Sequence, residues 1–380
     1  MKNRERIEAF VRENGELAYA WLKELTLIPA PSWHEEKRAA WCVEKFKSFG
    51  YENAYVDEAL NAVCPLNCDG SDKLTVLCAH TDTVFPLETP LPYEEKDGKI
   101  FCPGVGDDTA GAISILLTAK YFAENKIVPE NGLLLVCNAG EESVGDLKGT
   151  RCLLKAYANR VSRFLSVDSS LDGFHDTCVG GYKCEVTAKV QGGHAFGNFG
   201  RKNAIAVLAQ IVTELYKIEL PKEEGTVYSY NVGVIEGGKS VNAIAQEARM
   251  HCEYRSNKPA CRKILEEKFN AILDSVRADD VEISVRTLSD RPCSQLTDFA
   301  AQNALVSTCA AIYQEVLQKP VRYSSASTDC NLPLSLGIPA LAIGTVEMYE
   351  VHTTEEWIDK ASFLIGLRAV LAVAEAMSEK

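Results

Sequence analysis

Short apolar runs alternate with segments of helical periodicity along the first half of this chain and again near its end. Four such runs are followed closely by acidic or histidine residues, and they lie at 74–79, 132–137, 164–167 and 339–343. Helical segments are predicted at 4–47, with a break at Pro29–Pro31, and at 109–125. This alternation predicts a largely parallel sheet covered on both faces. Ligand sites in such sheets lie beyond the carboxyl ends of the strands, where these polar residues are expected.

The middle of the chain has a different pattern. Alternating strand-like segments and amphipathic helical segments follow one another in the order β-α-β-β-α-β, at 183–190, 203–218, 226–235, 243–254, 260–278 and 281–288. This order is that of a ferredoxin-like α+β module. Because the module interrupts the first pattern, we predict an inserted domain at 181–291, with 1–180 and 292–380 together forming the other domain.

Composition and charge exclude several classes of function. The chain has 380 residues and a formal net charge of -13, which argues against binding to nucleic acid or to an anionic membrane. The first residues are charged and lack the apolar core of a signal peptide, and no apolar run approaches the roughly 20 residues that cross a bilayer. The 14 cysteines include no CxxC pair. We therefore expect a cytoplasmic protein with free thiols.

The first run ends in His80-Thr81-Asp82. In an extended segment, residues two apart point the same way, so we expect Asp82 to lie beside the imidazole of His80 and to orient it. A carboxylate behind a metal-bound histidine does this and makes the histidine a stronger ligand. A surface ion pair is the alternative for this short motif.

Two pairs of adjacent acids follow. Asp107-Asp108 precedes a predicted helix, where aspartate is a common N-cap, and one of the two is also suited to bridging metal ions. Glu141-Glu142 follows the second run, and adjacent carboxylates repel one another unless a cation lies near. One of these can bind metal while the other acts as a general base. A solvated acidic turn is the alternative.

Asp168 follows the third run, and His352 follows the fourth after a short loop. Two histidines and three acids are therefore predicted at one sheet edge, namely His80, Asp107, Glu142, Asp168 and His352. Nitrogen and carboxylate ligands without thiolate suit zinc, cobalt or manganese. Five ligands exceed the three of a single catalytic zinc, whereas two metals that share a bridging carboxylate use them all.

These stretches resemble the dinuclear zinc peptidase family of peptidase T, glutamate carboxypeptidase, carnosinase, acetylornithine deacetylase and succinyl-diaminopimelate desuccinylase. The matching segments span most of the chain in the family's order: 80–84, 106–111, 140–142, 167–168, and His352 with Glu355-Glu356. The resemblance implies an α/β catalytic domain with a mixed, mainly parallel sheet, plus an inserted α+β ferredoxin-like domain that acts as lid and makes a homodimer. It also implies two Zn²⁺ ions as cofactors, with Co²⁺ or Mn²⁺ as alternatives.

The resemblance assigns roles in the catalytic domain. His80 and Asp168 would hold one metal, Glu142 and His352 the other, and Asp107 would bridge them. Glu141 would be the general base that helps a metal-bound hydroxide attack the amide carbonyl, and it would then protonate the leaving nitrogen.

The resemblance also assigns three substrate-binding residues in the inserted domain. His194 is similar to a lid histidine that polarises the scissile carbonyl. Arg255 is similar to an arginine that holds a substrate carboxylate, a task that suits a bidentate guanidinium. Asn242 is similar to an asparagine near the substrate. The run after His194 lacks the proline common in the family.

Position 168 is aspartate rather than glutamate. Within the family, aspartate here is typical of aminopeptidases and dipeptidases, and glutamate of carboxypeptidases and deacylases. We therefore predict hydrolysis of short peptides, as by a peptidase T-like aminopeptidase or a dipeptidase. An N-acyl-amino-acid deacylase is the alternative.

Two rival interpretations concern other classes of protein. Gly233–Ser240 matches the P-loop pattern GxxxxGK[ST], which would need a preceding buried strand and a helix that starts at the lysine. A turn between two strands of the inserted domain is the preferred interpretation. A non-catalytic binding protein on the same scaffold would be expected to lose a metal ligand or the base, and all of these positions are filled.

Overall fold

The chain consists of two compact units, each described by itself. In this computed structural model, which describes residues 3–157, 159–220 and 223–379, one unit comprises Met1–Cys178 with Gln295–Lys380 and the other Val179–Ser294. The domain boundaries expected from the sequence, at 181 and 291, lie just inside the second unit.

The α-helices of the described residues are α1 (Arg4–Thr26), α2 (Glu36–Ser48), α3 (Gly111–Glu124), α4 (Lys148–Tyr157), α5 (Ala204–Leu215), α6 (Pro259–Val276), α7 (Phe299–Leu317), α8 (Asn331–Ser335) and α9 (Lys360–Ser378). The strands are β1 (Tyr55–Val56), β2 (Ala62–Leu66), β3 (Leu74–His80), β4 (Glu94–Lys96), β5 (Lys99–Phe101), β6 (Gly132–Asn138), β7 (Val161–Ser166), β8 (Gly173–Cys178), β9 (Gly180–Val190), β10 (Gly193–His194), β11 (Tyr228–Gly237), β12 (Ala243–Ile244), β13 (Glu247–Ser256), β14 (Val281–Arg291), β15 (Arg322–Ala326), β16 (Ala340–Ile343), β17 (Met348–Tyr349) and β18 (Trp357–Asp359).

An eight-stranded sheet organises the first unit, in the order β1-β2-β6-β3-β7-β16-β8-β15. The four central strands β6, β3, β7 and β16 are parallel and correspond to the four apolar runs. Strands β2 and β8 run antiparallel to their inner neighbours. The prediction of a mixed, mainly parallel sheet is confirmed. The flanking strands are short or partly exposed, so their sequences carry a weaker signal.

Parallel pairing brings the site-bearing segments to one edge of this sheet. Cys78 lies opposite both Val136 and Ser166 in the registers of β3. The chain beyond these strands continues the pairing, because the N–H of Thr81 donates to the carbonyl of Asn138 at 2.7 Å, and the N–H of Val167 donates to that of Cys78 at 2.7 Å. The segments that carry His80, Glu141-Glu142 and Asp168 therefore emerge side by side.

The C-terminal helix α9 corrects one expectation from the sequence. This 19-residue helix is long and apolar enough to cross a membrane by length and composition, but 72% of it is buried inside the unit. It packs against α1, α3 and α7, and Phe363, Leu367 and Val370 are completely buried. A helix that is apolar all round is typical either of a membrane span or of a protein core, and its burial here supports a core helix.

The second unit has the predicted ferredoxin-like arrangement. Its antiparallel sheet has the order β11-β13-β9-β14, and α5 and α6 cover one face through an apolar cluster that includes Leu208, Met250 and Phe269. The strand expected at 243–254 is interrupted, because β12 pairs with β10 instead. The P-loop interpretation fails here, because Lys239 and Ser240 lead into β12 and not into a helix.

Two helical glycines give a test of how tightly α9 is packed. A Cβ at Gly366 would lie 1.7 Å from the carbonyl oxygen of Thr345, whereas a Cβ at Gly15 in α1 would meet a movable methyl group of Leu364 at 3.2 Å. We expect Gly366→Ala to lower the free energy of unfolding by about 3 kcal/mol, since backbone must shift. Gly15→Ala should change it by less than about 1 kcal/mol. Urea denaturation of both variants checks this, and equal midpoints would contradict it.

Candidate metal centre

His80 stands at the end of β3 and is completely buried. Its Nε2 lies 2.9 Å from Oδ1 of Asp107. Its Nδ1 lies 3.0 Å from the backbone carbonyl oxygen of Asp82 and 3.6 Å from that residue's carboxylate. Asp82 therefore borders the ring as expected, but its closest contact is made by its backbone. With Nδ1–H directed at Asp82, Nε2 is left to face Asp107 and act as the ligand atom.

Asp107 lies between the two histidines. Its Oδ1 faces Nε2 of His80 at 2.9 Å, and its Oδ2 faces Nε2 of His352 at 3.0 Å. Each oxygen therefore points at a different imidazole, which is the arrangement expected of a bridging carboxylate.

The predicted ligands form two groups that share Asp107. One is His80, Asp107 and Asp168, and the other is Asp107, Glu142 and His352; within each group, the ligand atoms all lie within 4.8 Å of one another. His80, Glu141 and Glu142 satisfy the same criterion, so Glu141 also lies at the cluster. The structure thus brings together every candidate ligand and the candidate base from the first unit.

The side chain of Asp82 fixes the backbone of the glutamate pair. Its Oδ1 accepts the N–H of Glu141 and its Oδ2 that of Glu142, both at 2.9 Å. The hydroxyl of Ser32 lies 2.6 Å from the same Oδ2. Asp82 is completely buried, and although burial alone would raise its pKa, the bonds from His80 and Ser32 lower it. Asp82 is therefore a positioning residue for two segments.

Asp108 does not cap a helix, contrary to one interpretation of the sequence. Helix α3 begins at Gly111 without a capping side chain, and Asp108 is buried and accepts the backbone N–H of His80 at 3.1 Å. A Cβ at Gly111 would lie 2.2 Å from Oδ1 of Asp108 and 2.3 Å from the carbonyl oxygen of Val167. The turn therefore needs glycine at that position.

Glu356 holds the loop that carries Asp107, a role for which the sequence carries no specific signal. One carboxylate oxygen accepts the N–H of Gly104 at 2.8 Å, and the other accepts those of Gly106 and Asp107 at 2.8 and 3.1 Å. Burial raises the pKa of Glu356 to about 7. The neighbouring Glu355 is exposed, and local sequence cannot tell which of two adjacent glutamates points inward.

Two further buried charged residues border the site, and neither lies in a recognisable sequence motif. The Arg38 guanidinium donates to the carbonyls of Ile28 and Thr81 at 2.8 and 3.0 Å and to the hydroxyl of Thr109 at 3.2 Å. It thereby ties together the segments around His80 and Asp108, and burial lowers its pKa to about 10. Asp329 accepts from the side chain of Asn138 at 2.6 Å; burial, and then the charge of Glu141, raise its pKa to about 6.

The ionisation of the cluster reflects crowded carboxylates. Burial raises the pKa of Glu142 to about 7 and raises that of Asp168 well above its usual range. Hydrogen bonds to Asp107 and Glu142 raise the pKa of His352 to about 10. Burial alone would raise the pKa of Asp107, but its bonds with His352 and His80 lower it. Cations would relieve this repulsion, and the nitrogen and oxygen donors suit zinc, cobalt or manganese. The residues therefore fit two divalent ions that share Asp107.

The three candidate residues of the second unit lie in two separate regions of that unit. His194 on β10 pairs with Ala243, and the carbonyl of Asn242 accepts the N–H of Ala195 at 2.9 Å, so His194 and Asn242 are neighbours. Arg255 lies eight residues beyond the start of β13, roughly 27 Å along an extended strand. There its guanidinium is 2.9 Å from Glu253.

A mixed sheet whose carboxyl edge holds two histidine–carboxylate groups around a shared aspartate defines a metal-dependent hydrolase. The chain belongs to peptidase family M20/M25/M40, whose family model matches residues 76–376. The family resemblance noted from the sequence is thereby confirmed.

Individual relatives differ in the activity that their names state. Acetylornithine deacetylase of Myxococcus xanthus is 27% identical over 347 residues, which cover 84% of each chain. A tripeptidase from Staphylococcus aureus has a TM-score of 0.75 and 22% identity, with 95% of this chain and 98% of that one covered. A dinuclear metal-binding M20 peptidase from Bacillus subtilis has a TM-score of 0.66 and 16% identity, with 97% and 99% covered. Both structural likenesses support the fold.

The role of Glu356 can be tested against its neighbour. Glu356→Gln places an NH₂ group against a backbone N–H donor, which costs about 1–3 kcal/mol. If this displaces Asp107, metal affinity should fall roughly tenfold or more, since about 1.4 kcal/mol corresponds to a factor of ten. Competition with a chelator measures this. Glu355→Gln, the same change at an exposed position, should leave the affinity unaltered; an equal effect of both variants would rule out the positioning role.

Removing metal should make stability decrease with increasing pH. Glu142 and Glu356 have folded pKa values of about 7 against about 4.3 in unfolded chains. As the pH rises, these carboxyl groups therefore ionise first in the unfolded state, which lowers the free energy of unfolding. The pKa of His352 is raised to about 10 in the folded protein. Its contribution to the free energy of unfolding is therefore complete below about pH 6.5 and is lost as the pH rises towards that folded pKa. Both effects destabilise the metal-free protein between pH 6 and 9.

The measurement is the melting temperature of chelator-treated protein at pH 6 and pH 9. We expect a lower value at pH 9, by about 2–4 °C for each kcal/mol lost. Added Zn²⁺ should reduce the difference, because bound metal favours ionised carboxylates and neutral imidazoles. A melting temperature of the metal-free protein that stays constant or rises with pH would contradict the assigned shifts.

Proposed function

We propose that this protein is a dinuclear zinc hydrolase that cleaves an amide bond of short peptides, as a peptidase T-like aminopeptidase or a dipeptidase. The observation that carries the proposal is the shared position of Asp107 between two histidine–carboxylate groups, with Glu141 beside them. Zn²⁺ is the first choice of ion, with Co²⁺ or Mn²⁺ as alternatives. Two bound divalent ions supply Lewis acidity, which polarises an amide carbonyl and lowers the pKa of a water molecule.

The protein's own groups would provide positioning and proton transfer. Glu141 is the proposed general base: it takes a proton from the attacking water and returns it to the departing nitrogen. Asp82 holds the N–H groups of Glu141 and Glu142 and so keeps the base and the ligand at a fixed spacing. Glu356 performs the same task for the loop of Asp107.

The second unit would contribute to substrate binding. His194 is proposed to polarise the scissile carbonyl, Asn242 to contact the substrate, and Arg255 to hold a substrate carboxylate. Arg255 would then exchange Glu253 for the substrate, since its guanidinium is now paired with that residue. We further propose that 181–291 acts as lid and dimerisation domain, and that the protein works in the cytoplasm as a homodimer.

Two activities compete within this family. Aspartate at position 168 supports a peptidase acting on free amino termini. The match to an acetylornithine deacetylase at 27% identity supports an N-acyl-amino-acid deacylase instead. The attack on an amide carbonyl is the same in both, so only the group that flanks the carbonyl distinguishes them.

Hydrolysis of a mixed substrate panel tests the proposal. The panel contains free di- and tripeptides together with N-acetyl and N-succinyl amino acids, and products are identified by mass spectrometry after addition of Zn²⁺, Co²⁺ or Mn²⁺. Cleavage of free peptides is the expected result, and cleavage of the acylated compounds alone would assign the protein to the deacylases. Absence of turnover with every class would refute the proposed function.

The variant Glu141→Gln tests the base. Loss of general-base catalysis should lower kcat by about 10²–10⁴-fold, while two metal ions per chain are retained because the other ligands are unchanged. Glu142→Gln, the same substitution at the adjacent proposed ligand, should instead reduce the metal content. Normal turnover by Glu141→Gln, or loss of metal from it, would contradict the assignment.

A further inference from the structure

An exposed tryptophan is held rigidly in the unit that carries the metal centre. Trp33 is 56% exposed, whereas Trp21 in the core of the same unit is 7% exposed. The backbone of Trp33 has φ 76°, a left-handed conformation that bulky residues rarely adopt. Such outliers persist only where the surroundings enforce them, and they concentrate at functional sites.

Three contacts enforce this conformation. The backbone N–H of Trp33 donates to Oε1 of Glu35 at 3.0 Å, and the indole Nε1–H donates to the carbonyl of Val144 at 3.0 Å. The ammonium group of Lys148 lies 4.9 Å from the centre of the Trp33 ring, within the range of a cation–π interaction. Trp33 is thus held at its backbone N–H, at the edge of its indole ring and at one face of that ring.

The residues that hold Trp33 are themselves anchored. Glu35 is completely buried, and its Oε2 lies 2.8 Å from Nζ of Lys148. The stem of Lys148 packs against Gly140, where an added Cβ would be 2.4 Å from its Cγ. The charge of Lys148 is thus paired with that of a buried carboxylate.

This surface borders the metal centre through two chain segments. The hydroxyl of Ser32 lies 2.6 Å from the carboxylate of Asp82 and 3.1 Å from the backbone carbonyl oxygen of Glu142. Val144, two residues after Glu142, is 55% exposed, and the indole bond ties it to Trp33. The segments that carry the two exposed apolar side chains are therefore joined to each other and to the backbone of Glu142.

We propose that Trp33 and Val144 form a subsite for an apolar side chain, aliphatic or aromatic, on the substrate residue next to the scissile amide. A flat indole face and a branched methyl pair offer dispersion contact and burial to such a group. A charged or hydroxyl side chain would lose hydration against these carbon atoms. The inference rests on the proposed function, because it identifies the side chain of the substrate whose amide is cleaved.

Substrate selectivity tests the subsite. Tripeptides and N-acetyl amino acids are prepared in matched series with alanine, serine, leucine or phenylalanine at the position next to the amide, and kcat/KM is measured for each. The variants are Trp33→Gly, because glycine accepts the left-handed φ, and Val144→Ser. The wild-type protein should prefer leucine or phenylalanine to alanine by at least about tenfold. Each variant should reduce that ratio, Trp33→Gly by roughly tenfold, with two metal ions still bound.

Val128→Ser is the matched control. Val128 is 73% exposed and precedes β6, whereas Val144 follows the same strand, so the two valines lie towards opposite edges of the sheet. This variant should keep the wild-type ratio.

The outcomes separate the subsite from the reaction. Turnover by the wild-type protein with no preference for apolar residues, or with a preference that both variants retain, overturns the subsite and leaves the hydrolase intact. A uniform loss of kcat/KM for all substrates also overturns it, since it indicates damage to the centre and not to a side-chain subsite. Absence of wild-type turnover in both series overturns the proposed function and the subsite together.

Discussion

The crowding of carboxylates at the buried end of a parallel sheet is the constraint on which the rest of this structure depends. Asp107, Glu142 and Asp168 meet the buried His80 and the half-exposed His352 there, and burial raises the pKa values of Glu142 and Asp168. Bound protons or cations must neutralise such a cluster. Two shared divalent ions meet that need, and the same charge is what an amide hydrolase uses to activate water and substrate.

A set of acceptors for backbone N–H groups keeps the cluster in place. Asp82 holds the glutamate pair, Asp108 holds His80, and Glu356 holds the loop of Asp107. Charge-assisted bonds of this kind are short and strong, and each joins segments that are distant in the sequence. Arg38 ties together the backbone around the same site from behind. Carboxylates outside the proposed ligand set thus hold the segments that carry the proposed ligands and base.

Catalysis and recognition are assigned to different parts of the molecule. Three of the proposed ligands, His80, Glu142 and Asp168, and the proposed base Glu141 lie at or just beyond the ends of the central strands, whose positions follow from sheet pairing. The apolar surface at Trp33 and Val144 lies on loops beside them, where changes of side chain leave the strand pairing undisturbed. The relatives of this chain carry names as different as tripeptidase and acetylornithine deacetylase, and such a separation is compatible with that range.

The sequence alone determined the four central strands, the pattern of the inserted domain and the set of candidate ligands. Strand and helix periodicity is local, and parallel strands necessarily bring their carboxyl ends to one edge, so periodicity by itself places His80, Glu142 and Asp168 together. Tertiary packing decided which of two like residues turns inward. Glu356 and not Glu355 binds the loop of Asp107, and Asp108 holds a strand end in place of capping a helix. Helix α9 is a core helix, although its length and composition would also suit a membrane span. The left-handed conformation of Trp33 and the burial of Arg38 are likewise set by contacts with segments far away in the chain, which local pattern does not encode.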